Sequence, residues 1–211
     1  MIEQMKSGIV AHKLRVHLSV SLQVQFATQA ASFALSMRGE SQSSGYYRKE
    51  RSAHERKVLE DIQLSKYSEW IVAYGLTKIG FPRTEPGMEI RTNSQKGWEP
   101  DLTYPENPDI PDLHLKNTPA IYRKRMSWTF QWKNKSGKGG TDPLFKNPDS
   151  NDIVILTYVP NINSRTGVIM YSSPWRLLYP LLKDPMFPKY KGIKKCIYED
   201  DLQKCLGKTV I

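Results

Sequence analysis

The stretch DIVILTYVP, Asp152 to Pro160, decides how the rest of the chain folds. It is mainly apolar and rich in β-branched residues, a pattern suited to a strand in the middle of a sheet. Downstream, Gly167 to Tyr171 reads as a next strand, and Trp175 to Leu182 spaces its apolar residues as a short helix does. KKCIYEDDLQKCLG adds a short strand, Lys195 to Tyr198, and a helix after it. Upstream, SKYSEWIVAYGLTKIGF carries Trp70, Ile71, Ala73, Tyr74 and Leu76 as an apolar helix stripe. Ser65 or Ser68 can cap it and Gly80-Phe81-Pro82 ends it.

The charged run Lys49 to Asp61 contains good helix formers and either joins that helix or packs beside it. At the N-terminus Leu14, Val16, Leu18, Val20, Leu22, Val24 and Phe26 alternate at period two, so His12 to Phe26 reads as a half-buried strand, with a helix as the alternative next to the Ala-rich ATQAASFALSM that follows. No acidic residue lies between Glu3 and Glu40 and serine is frequent, as in targeting peptides, but the alternation assigns this segment to the fold. Helices flanking several strands predict an α/β (mixed α+β) chain around a central mixed β-sheet. The expected organisation is one domain over 1–211, with a strand and helix extension at 1–48 and a core at 65–206. There is no internal repeat and no low-complexity tract.

Thirty-one Lys and Arg against 21 Asp and Glu give a formal charge of +10, which concentrates polyanions at the surface. Five tryptophans and eleven tyrosines within 39% apolar residues supply a sizeable core. The charges are segregated. Glu99 to Asp112, EPDLTYPENPDIPD, holds five carboxylates, four prolines and no base, whereas Lys116 to Lys138 holds seven bases and no acid. That juxtaposition suits a metal-binding patch beside a polyanion surface. Arg123, Lys124, Arg125, Lys135 and Lys138 are candidate phosphate contacts, and Lys183, Lys189, Lys191, Lys194 and Lys195 form a second candidate surface.

Other chemistries are disfavoured. Cys196 and Cys205 lack CxxC spacing and suit a reducing, intracellular setting, cytoplasmic or nucleoid-associated, better than a disulfide framework or zinc site. SGKGG does not match a phosphate-cradling GxxxxGK[ST] loop, and His12, His17, His54 and His114 are scattered. His114 falls on the strand after Asp112, where it could touch substrate or act as a base.

Phosphodiester hydrolysis needs carboxylates to hold a divalent ion and a cation near the attacking water. In SWTFQWKNKSGKGG, Ser127 to Gly140, Gln131 and Lys133 share one strand face and Trp132 points opposite. Pro111-Asp112-Leu113, with alternating Leu115, supplies a first strand. Its carboxylate would meet the second strand across a ladder.

Asp112, about twenty residues, then Gln131-Trp132-Lys133 resembles the PD-(D/E)XK nuclease superfamily. The helix carrying Glu69 and the apolar strand DIVILTYV lie in the order that superfamily implies. The resemblance spans roughly Ser65 to Leu206. It implies a restriction-endonuclease-like core and a Mg2+-dependent DNA endonuclease, possible site-specificity included, with Mn2+ able to substitute. Asp112, Gln131 and Glu69 would ligate the metal and Lys133 would position the attacking water. Asp101 and Asp109 also follow prolines and compete with Asp112 as first acid. Double-stranded DNA is the implied partner and homodimerisation is compatible with it. Gln131 stands where the superfamily usually has an acid, which favours a competing reading: a DNA-binding protein that keeps the fold without cleaving. A repair, recombination or RNA-processing nuclease is a further alternative.

Overall fold

The computed structural model describes residues 2–41, 53–88, 101–103, 113–119, 121, 125–132 and 143–206. Its elements are α1 (Ile2–Ser7), β1 (Val10–His17), α2 (Val20–Ser41), α3 (Ala53–Lys78), β2 (Glu85–Pro86), β3 (Leu102–Thr103) and β4 (Leu113–Thr118). There follow β5 (Ser127–Gln131), β6 (Ile153–Tyr158), β7 (Thr166–Pro174), α4 (Trp175–Leu178), β8 (Lys194–Tyr198) and α5 (Glu199–Cys205). The described strands form a six-stranded sheet in the order β1-β7-β6-β4-β3-β2 and a two-stranded sheet of β5 and β8. β4 and β6 run parallel, from Leu113 opposite Ile153 to Thr118 opposite Tyr158. The other neighbours are antiparallel. The fold is therefore mixed α/β, a central sheet flanked by helices.

β6 dictates the layering. Ile153 to Thr157 is buried without interruption. Ile153 and Ile155 join one core with Phe26 and Ala30 of α2 and Tyr67, Ile71 and Leu76 of α3. Val154 and Leu156 join another with Trp128 and Phe130 of β5, Ile197 of β8 and Leu202 of α5. Each such buried side chain contributes roughly 1.5–3 kcal/mol relative to exposure, so both faces must be covered. On the second face Trp128 Nε1 donates to the Thr157 carbonyl at 2.8 Å, tying β5 to β6. Phe145 packs edge-on against Trp132, Trp175 and Tyr179 beside it.

The N-terminal expectation needs correction. The strand stops at His17 and α2 begins at Val20. Ser19 Oγ accepts the Leu22 N–H at 3.2 Å, an N-terminal cap, and Phe26, Ala30 and Ala34 then recur every fourth residue on the buried side while Val24 is exposed. β1 pairs with β7 at the edge of the large sheet. A bulge between Ala11 and Leu14 contains Lys13 at φ 48°.

The charged run and the apolar stripe prove to be one helix, α3. Ser65 and Ser68 are internal, and the Ser68 hydroxyl bonds back to the Ser65 carbonyl at 2.7 Å. Its end is the expected one. Gly80, at φ 79°, donates to Thr77 and Phe81 donates to Leu76, a Schellman closure.

α3 presses closely on the sheet through two glycines. A Cβ on Gly75 would lie 2.5 Å from Val16 Cγ2. One on Gly167 would lie 2.7 Å from Ile71 Cγ2 and 3.0 Å from Val159 Cγ2. Ile and Val are stiff at χ1 and cannot swing aside cheaply. Gly167→Ala is therefore expected to lower stability by about 1–3 kcal/mol in urea unfolding. Gly8→Ala, with nothing within 4 Å of the added carbon, should stay within about 0.5 kcal/mol of wild type. Equal stabilities for the two variants would contradict the close helix–sheet contact.

Candidate functional site

The end of β4 lies between the two layers and forms the floor of a cleft of about 610 Å³. One wall is the N-terminal half of α3, including Lys57, Asp61 and Leu64. The other combines β5, β8 and the segment from Pro185 to Tyr190. Among the described residues, four cations, Lys57, Lys116, Arg125 and Lys194, line it with two carboxylates, Asp61 and Asp101. Each cation is anchored. Lys57 pairs with Asp61 at 2.6 Å, and Arg125 Nη2 pairs with Asp200 at 2.7 Å while its guanidinium lies 4.9 Å over the Tyr198 ring. Lys194 Nζ sits 4.8 Å over the Tyr190 ring and Lys116 Nζ 5.6 Å over Phe130. Such stacking aligns a cationic head without neutralising it.

Asp101 reaches the cleft at the start of β3, where its Oδ2 accepts the Leu115 N–H at 2.6 Å. Close behind it is Glu69 on α3, buried and hydrogen-bonded by Lys66 Nζ at 2.6 Å. Lys66 also donates to the Gly87 carbonyl and lies 4.6 Å over Phe33. Burial, reinforced by the Asp101 charge, pushes the Glu69 carboxyl up to about 8 against the opposing pull of Lys66.

Among the described residues the expected metal-dependent nuclease centre does not assemble, for two reasons. First, β4 has β3 and β6 as its ladder neighbours, and β5 lies in the other layer with Gln131 in register with Lys194. Trp128 and Phe130 are fully buried on one face of β5 and need the apolar surface of β6, so β5 stacks on the large sheet instead of extending it. Second, among the described residues no group of three or more His, Cys, Asp or Glu is placed to hold a metal ion. Mg2+ takes oxygen ligands in near-octahedral array, usually one or two carboxylates together with waters. Glu69 is buried and already receives Lys66, while an Asp101 oxygen is committed to the Leu115 amide. The residues do not fit the ion. The expectation of a Mg2+- or Mn2+-dependent endonuclease, a metal-dependent hydrolase, is overturned on this finding.

Asp112, Asp109, Lys133, Arg123, Lys124, Lys135 and Lys138 lie outside the described residues, and for Gln131 only the backbone pairing is described. Of the expected residues, Arg125, Asp101 and Lys194 line the cleft, with Glu69 behind Asp101. His114 is buried, its Nε2 3.9 Å from an Asp152 oxygen. His12 bonds Ser172 at 2.7 Å, and burial lowers its pKa. Cys196 faces the cleft, but burial pushes its thiol up to about 11, which removes it as a nucleophile near neutrality. Sequence reasoning passed over Lys57, Lys116, Phe187 and Tyr190. For the last two a signal was there: MFPKYKGIKK interleaves aromatic residues with lysines.

Glu69 sets a pH dependence. The unfolded carboxyl titrates near 4.5 and the folded one near 8, so the native state holds the extra proton between those values. Its stabilising contribution is complete below 4.5 and is lost as pH rises through 8. Glu69→Gln keeps an acceptor for Lys66 and removes the titration. Urea unfolding from pH 5 to 9 should show wild-type stability falling by roughly a few kcal/mol relative to the variant. Parallel curves would rule out a protonated Glu69.

Comparison of the chain with protein-family models, with curated proteins and with solved structures returns no match.

Proposed function

We propose that the protein binds nucleic acid through the cleft at the end of β4, and that its restriction-endonuclease-like core serves as a binding scaffold without metal-dependent cleavage. The observation that carries this reading is the lining of the cleft, where the described residues include four anchored cations and two carboxylates, in a chain of net charge +10. Likeness to the nuclease core is supported by element order: α3 with Glu69, then the strands ending in β4, then the apolar β6. Lysines and arginine at these positions contact phosphate, which fixes register on the strand without reading bases. Localisation with intracellular nucleic acid follows from the same reading and agrees with two free thiols.

The test is fluorescence anisotropy with labelled DNA of several sequences over a salt series. Lys116→Ala and Lys194→Ala are each expected to weaken binding by a similar factor on every sequence. Each should also lower the slope of log affinity against log salt by about one. Supercoiled plasmid should stay intact with Mg2+ or Mn2+ and show a mobility shift. Unchanged salt slopes in both variants, or cutting abolished by EDTA, would refute the proposal.

A further inference from the structure

We infer that nucleic acid resting on the cleft runs on across the large sheet to its β1 edge, where Arg15, Arg165 and Lys13 take further phosphates of the same molecule. This rests on the nucleic-acid reading above and extends the contact surface beyond the cleft.

Register supplies the path. Thr118, which lines the cleft, stands opposite Tyr158, Tyr158 opposite Val168, and Val168 opposite Arg15. Residues paired in this way project from one face of a sheet, so the four make a row across β4, β6, β7 and β1. Tyr158 and Val168 are half-buried and Arg15 is exposed. The row lies on the face away from α3, because the next residue, Val16, meets Gly75 of that helix. Three strand spacings separate its ends, about 14 Å. That is about four steps of 3.4 Å along a duplex, a span that a molecule lying across the cleft covers readily.

Charge identifies the occupant. No acid occurs from Gln4 to Gly39 or from Ile153 to Lys183, the stretches that supply β1, β6 and β7. Lys13, Arg15 and Arg165 are exposed, and none forms an ion pair among the described residues. The Arg165 carbonyl accepts the Leu18 N–H at 2.8 Å, which fixes this residue at the end of β1. In the cleft, by contrast, Lys57 and Arg125 are each offset by a carboxylate. Uncompensated positive charge therefore collects at the β1 edge, where a phosphate meets no acid from these strands.

Two other uses of such charge fit less well. Lysines at a sheet edge deter strand pairing, and Lys13 in its bulge meets that need. It does not account for Arg15, which projects from the face, or for Arg165, which precedes β7. An anionic lipid surface would draw on apolar side chains beside the cations. The exposed Val20 and Val24 instead belong to α2, which packs on the opposite face of the sheet.

The experiment measures anisotropy of the full chain with a labelled 20-base-pair duplex over a salt series. Arg15→Ala and Arg165→Ala should each weaken binding and lower the slope of log affinity against log salt by about one, and Arg15→Lys should keep the slope. Arg15→Ala combined with Lys194→Ala should lower it by about two. Lys204→Ala, an exposed lysine on α5, should leave it unchanged. Wild-type slopes in both arginine variants, or an equal drop in Lys204→Ala, overturn the inference. If only Lys116→Ala and Lys194→Ala lower the slope, the β1 contact falls and the cleft reading stands. If only the arginine variants lower it, the cleft reading falls, and the continuous path falls with it. Cosedimentation with phosphatidylserine vesicles that Arg15→Ala abolishes, with duplex binding unchanged, would assign the patch to lipid and overturn the inference.

Discussion

The double-sided burial of β6 is the constraint from which the rest of the architecture follows. Its side chains alternate between two separate cores, Ile153 and Ile155 toward the helices, Val154 and Leu156 toward β5 and α5. A strand with water on either side would forfeit several buried aliphatic groups at roughly 1.5–3 kcal/mol each. The chain must therefore deliver one layer from its N-terminal half and another from its C-terminal half, and it does. α2 and α3 cover one face, while β5, β8, α4 and α5 cover the other. The Trp128 indole bond to the Thr157 carbonyl gives the second layer a polar anchor on the central strand.

The same constraint shows why parts of the fold were legible in the sequence and parts were not. Continuous apolar character marks β6, and local patterns mark β7, β8 and α5, because strand and helix there depend on near neighbours. The turn at Gly80 was legible for the same reason: only a residue tolerant of positive φ closes α3 so tightly. Period two misled from Val20 to Phe26, since Leu22 and Phe26 fit a strand face and a helix face equally. The Ser19 cap, a single hydrogen bond, decides between them. The pairing of β5 was not legible at all. Its partner β8 lies more than sixty residues on, and whether an aromatic strand extends a sheet or stacks on it depends on which surface remains uncovered elsewhere.

The candidate site divides along similar lines. Charge segregation pointed to a polyanion surface next to carboxylates, and Asp101 and Arg125 do line one cleft. What local spacing could not convey is how a carboxyl is solvated. Glu69 looks like a ligand in a motif, yet in the fold it is a buried group held by Lys66, raised by desolvation and by Asp101. A Gln-x-Lys triplet likewise carries meaning only if its strand neighbours the first acid, and β5 belongs to the other layer.

On the proposed reading, the placement of the cleft ties nucleic-acid binding to the assembly of both layers. Its floor is β4, whose Leu113 and Leu115 belong to the helix-side core, and one wall rises from α3 on that same side. The opposite wall, with Lys194, Tyr198 and the Phe187 segment, is carried by β8, whose Ile197 belongs to the other core. Neither layer alone holds the set of groups that lines the cleft. A strand lying between the walls would touch both and would favour the state in which the two-stranded sheet is docked on β6. Occupancy is thereby linked to the stability of the interface that Trp128 anchors. A change in that interface, far from any phosphate contact, would shift affinity by altering the fraction of molecules whose walls face each other.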